Sequence, residues 1–119
     1  MTALRDLLNR YRGRVVDSFN DLYFTREVAI QFVRDCEEAN IAILGIEGFV
    51  QSNKGLYPQM DLIGDFSPQG SYPSWEEYRR LANESAMRLL AEADDRASLV
   101  FIINAWTAEE WAPQQIDKR

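Results

Sequence analysis

Leu4, Leu7, Leu8 and Tyr11 fall at helical spacing with arginines on the other face, which predicts an amphipathic helix over residues 3–12. Gly13 ends or loosens it, since glycine costs about 1 kcal/mol in a helix interior. The stretch "VVDSFNDLYF" reads two ways: Phe19, Leu22 and Tyr23 keep a helical period, whereas Asp, Ser and Asn favour turns. Thr25 is placed to cap a second helix over 26–39, whose buried stripe is Ala29, Phe32, Val33, Cys36 and Ala39.

Beyond Asn40, "IAILGIEGFV" is apolar on both faces and predicts a central strand covered along most of its length. "QSNKG" is turn-rich, with Gly55 able to supply a positive φ. "LYPQMDLIGDF" then alternates, with Leu56, Met60, Leu62 and Phe66 on one side and Gln59, Asp61 and Asp65 on the other. That is the signature of a half-buried strand. Pro58 has no N–H to give a ladder and assigns this strand to the sheet edge. "SWEE" is a capping-box sequence opening a long helix, striped by Tyr78, Leu81, Ala82, Ser85, Leu89 and Ala93. "SLVFIINAW" is a third, buried strand, after which the tail forms at most one short turn and frays over 112–119.

The predicted order is α-α-β-β-α-β. A hairpin followed by a helical crossover returns the third strand beside the first, giving a three-stranded, mostly antiparallel sheet of order 2-1-3. Helices pack against it in one α+β domain spanning residues 1–119.

Composition narrows the function classes. With 46% hydrophobic and 27% charged residues the chain reads as globular, and no run approaches the roughly 18 apolar residues of a membrane span. The charged N-terminus has no signal-peptide core, so a cytoplasmic location and no membrane partner are expected. Cys36, the one cysteine, lies on the second helix's apolar stripe and reads as a core thiol. No histidine is present, which excludes Cys–His and Ser–His nucleophile activation. Net charge is −6, divided between +3 over residues 1–14 and −9 over the remainder. An acidic body opposes nucleic-acid binding and favours a basic protein partner.

The hairpin carboxylates are the candidate chemistry. A three-residue loop, Asn53-Lys54-Gly55, sets Glu47 opposite Asp61 with Asp65 on the same face; a one-residue slip sets Glu47 opposite Met60 instead. Like charges in register need compensation. Three readings stand side by side: internal pairing with an arginine from the first or the long helix, an anionic surface offered to a basic protein, or a divalent-metal enzyme or sensor site. Among the tryptophans, Trp75 reads as core, while Trp111, in a polar tail, is as suited to a partner as to self-packing.

"ILGIEGF", "DLIGDFS" and "SWEEY", in this order, resemble the small immunity proteins of bacterial polymorphic-toxin and contact-dependent inhibition systems. The likeness is one of pattern and architecture over residues 24–82. It implies a non-enzymatic protein without a cofactor that binds a cognate toxin domain and occludes its active site or substrate groove. Glu47, Asp61 and Asp65 lie in the matching segments, where they serve the fold equally well, and the resemblance carries over no toxin-contacting residue by motif. These acids and Trp111 are the expected partner-binding residues from the charge and tryptophan readings above. The basic N-terminal helix departs from a uniformly acidic pattern. The alternatives are a carboxylate metal-binding enzyme or sensor and a general interaction module.

Overall fold

Helix, hairpin, helix, hairpin, helix, strand is the order of elements in the computed structural model, which describes residues 3–18, 21–68, 72, 74–93 and 98–111. The elements are α1 (Ala3–Tyr11), β1 (Val16–Ser18), β2 (Asp21–Tyr23), α2 (Arg26–Glu38), β3 (Ala42–Ser52), β4 (Gly55–Asp65), α3 (Trp75–Glu92) and β5 (Leu99–Trp106). The sheet runs β4-β3-β5, antiparallel throughout, so the unbroken apolar strand is central and the Pro58 strand is at the edge.

One element pair is additional to the expected order. Residues 16–23 form a small antiparallel hairpin, β1 and β2, where the sequence was balanced between helix and turn. Backbone bonds decide it: Phe24 and Phe101 exchange N–H···O contacts of 2.8 and 2.7 Å, which seat this hairpin beside β5. Phe19 and the tail 112–119 lie outside the described residues.

Both N-caps form, with Thr25 accepting from the Val28 N–H and Ser74 from the Glu77 N–H. The end of α2 is a Schellman motif. Asn40 adopts φ 66°, its N–H reaches the Glu37 carbonyl, and the Ile41 N–H reaches the Cys36 carbonyl at 2.8 Å. Arg26 at the start of α2 donates through Nε to the Leu90 carbonyl at 2.8 Å, satisfying an otherwise orphan group in the last turn of α3.

The core lies between the helices and one sheet face. Phe32, Val33 and Cys36 of α2 and Ala86 and Leu90 of α3 meet Ile43, Ile46, Leu62, Leu99 and Phe101 of the strands. α1 closes the side through Leu7 and Tyr11, whose ring lies edge-on to Phe32 at 5.2 Å and whose hydroxyl donates to Asp35. Burial pushes the Cys36 thiol pKa up, with Asp35 adding to the shift, as befits a core thiol.

The buried face of α3 is rotated from the expected stripe. Leu81 is exposed and Ser85 and Leu89 are half-buried, while Asn83, Ala86 and Leu90 point inward. Asn83 is the reason. Its amide nitrogen donates to Glu37 Oε1 (2.7 Å) and to the Ile41 carbonyl (3.0 Å), and its Oδ1 accepts from the Ile43 N–H (2.8 Å). The β4 ladder ends at Gly45–Asp65 with one further bond from Phe66 N–H to the Leu44 carbonyl, so the first residues of β3 lack a strand there. The carboxamide presents donor and acceptor side by side, as a neighbouring peptide would. Arg79 continues the network with a two-pronged bond to Glu37 (3.2 and 3.1 Å), and Trp75 donates to Asn40 at 2.9 Å.

Asn83→Ala leaves a buried N–H and carbonyl without partners and is expected to lower unfolding free energy by about 2–4 kcal/mol, summed from several lost bonds. Urea unfolding checks it: the midpoint falls while the slope stays unchanged.

Candidate partner-binding surface

The hairpin register is what places the carboxylates. Its loop has two residues, Asn53 and Lys54, between paired Ser52 and Gly55, and Gly55 takes the positive φ of 139°. From there Val50 pairs with Tyr57 and Phe49 with Pro58. The ladder then breaks, and Glu47 pairs with Ile63. Two steps along β3, from 49 to 47, thus span five along β4, from 58 to 63. Both expected registers are therefore replaced: Glu47 faces neither Asp61 nor Met60.

Packing on Gly48 causes the bulge. A Cβ built there would lie 2.8 Å from Leu62 Cβ and 3.1 Å from the Phe101 ring. Leu62 occupies that space and is buried, and the residues before it must loop outward. Met60 and Asp61 are exposed as a result, and the expected inward position of Met60 is lost. Gly64 plays a similar part further on, where Phe66 folds back over its α-carbon, 2.5 Å from a built Cβ.

The sheet face away from the helices is the candidate surface. Glu47, with Ile63 and Ile102 as its cross-strand neighbours, lies on it, and Asp65 pairs with Gly45 on the same side. Glu47 and Asp65 are diagonal neighbours, a relation of about 7–8 Å between backbones. Together with Ile63, Ser67 and Asn104 they line one shallow cleft. At the other end of this face Tyr23 of β2 covers Phe49, ring to ring at 6.2 Å.

Electrostatically the sheet is one-sided. Strands β3, β4 and β5 carry Glu47, Asp61 and Asp65 and no lysine or arginine. Internal pairing does not compensate them: among the described residues Glu47 and Asp61 make no ion pair, while Arg79 pairs with Glu37 and Arg80 with Glu84. Asp65 is held locally instead. Its Oδ1 accepts from the Ser67 hydroxyl (2.6 Å) and N–H (3.0 Å), and these bonds hold its carboxyl pKa below the ordinary 3.8. Among the described residues no three Asp, Glu, Cys or His side chains converge as a metal site needs.

Trp111 sits apart from this face. It stacks on Tyr78 (6.3 Å, 11°) and tilts against Trp75 (5.7 Å), at the edge of a second apolar cluster. Trp75 is buried, as its sequence context suggests. Two larger grooves lie elsewhere, one between α1 and residues 107–110 and one between α2 and α3. Each is walled by arginines and glutamates together, so neither selects a ligand by charge.

The surface residues that sequence reasoning missed are Tyr57, Met60 and Ile63, three of the exposed large apolar side chains, all on β4. The only advance signal was Pro58, which interrupts a ladder in mid-strand. No protein-family model matches the chain, and no curated protein does either. Among the described residues no helix is long and apolar enough to cross a membrane.

Asp65 supplies a pH prediction. Because its native pKa lies below the unfolded value, its contribution is present above pH 3.8 and is lost as pH falls through the native pKa. In a carbon-detected NMR titration the Asp65 carboxyl should titrate below 3.8, and Ser67→Ala should move it upward.

Proposed function

We propose that this chain is a stoichiometric inhibitor, an immunity protein that binds and neutralises a cognate bacterial toxin domain by covering its active site or substrate groove. In this reading it is not an enzyme and acts in the cytoplasm on a basic protein. One observation carries it. A sheet whose only charges are three carboxylates leaves Glu47, Ile63, Asp65 and Asn104 exposed on the face away from the helices, and Met60 is exposed next to Asp61 on its edge strand. A single sign of charge selects a partner of the other sign and speeds encounter. The ordered resemblance at "ILGIEGF", "DLIGDFS" and "SWEEY" supports the inhibitory form of that interaction.

The test is co-expression with the toxin domain encoded beside the gene, followed by binding of the purified pair. Growth rescue and a one-to-one complex are expected; a neighbouring toxin that neither binds nor is neutralised ends the proposal. Replacing the three acids together, Glu47→Gln, Asp61→Asn and Asp65→Asn, should slow association about tenfold or more at low salt. All three are exposed, so the fold should survive, checked by thermal unfolding. Raising salt should slow the wild-type protein towards the rate of the variant.

A further inference from the structure

We infer that the bulged tip of β4, Met60 with Asp61 beside it, is the plug that enters the partner, and that the toxin domain receives it in an apolar pocket rimmed by lysine or arginine. This rests on the inhibitor reading above and specifies how the contact is made.

Exposure singles out the residue. Met60 is 79% exposed, against 49% for Tyr57, 40% for Ile63 and 38% for Leu81 on α3. An unbranched thioether side chain adapts to irregular apolar cavities, so a methionine held in water beside an acid is well suited to insertion. The protrusion is built into the fold. Leu62 is fixed against Gly48 and Phe101 beneath it, and Phe49 pairs with Pro58 before it, so the chain between must project.

Two other occupants fit less well. A partner strand added along β4 needs a regular edge, but the bulge and Pro58, which has no N–H, interrupt that edge at its middle. Recognition therefore runs through side chains and not through a backbone ladder. A second copy of this chain would bring Glu47, Asp61 and Asp65 against their own counterparts, and like charges at an interface are repulsive. A basic partner relieves that repulsion.

The experiment uses the full-length chain and the toxin domain encoded beside it, with surface plasmon resonance for kinetics and analytical ultracentrifugation for the free protein. Met60→Ala should raise Kd at least tenfold, mainly through faster dissociation, because a central apolar anchor acts after encounter. Asp61→Asn should instead slow association in a salt-dependent manner. Leu81→Ala, an exposed apolar control on the helical side, should change neither. Thermal unfolding of Met60→Ala should match the wild type, since the side chain packs little on its own fold. Wild-type binding with Met60→Ala unaffected overturns the plug while leaving the inhibitor reading intact. Equal loss from Leu81→Ala overturns it also, as does a free protein that dimerises through Met60. Failure of the wild type to bind at all removes both.

Discussion

A single buried carboxamide holds the molecule's layers in place. Asn83 uses both amide hydrogens and its oxygen to tie α3 to the end of α2 and to the first residues of β3. These are the points where a helix ends, a strand begins and the β4 ladder has already stopped. In a low-dielectric interior such bonds are strong, and leaving their partners unmade is costly, so the arrangement specifies one position of α3 along the sheet. Arg79, Glu37, Asn40 and Trp75 extend the same network to the surface. With α3 fixed, one sheet face is sealed, and the opposite face keeps its own composition.

The two layers divide the charge between them. The helices carry both signs and form ion pairs, Arg79 with Glu37 and Arg80 with Glu84. The sheet carries acids alone. Among the described residues Glu47 and Asp61 make no ion pair, and Asp65 is held by Ser67. What remains is a surface combining negative charge with exposed apolar side chains.

Most of the frame was legible in the sequence because it depends on local signals. Thr25 and Ser74 marked helix starts, Pro58 marked the edge strand, and the unbroken apolar run of β3 marked the centre. The site was legible only in part. Glu47, Asp61 and Asp65 stood out as lone charges in apolar segments, but their relative positions hang on a contact between Gly48 and Leu62. Residues so far apart in sequence leave no periodic trace, and the ladder break they cause turned Met60 outward against the alternation. Asn83 escaped for a related reason: a polar residue on a helix reads as solvent-facing until a strand's bare backbone groups are seen beside it. The hairpin at 16–23 is likewise decided by non-local bonds between Phe24 and Phe101.

The anchoring of Leu62 over Gly48 also bears on how such a protein can change. Because that one side chain secures the bulge from below, the exposed positions before it bear little of the burden of folding. Substitutions at 60 and 61 can thus accumulate with small effect on the scaffold. Sequence change at these two positions leaves the body beneath, and the shape of the bulge itself, the same.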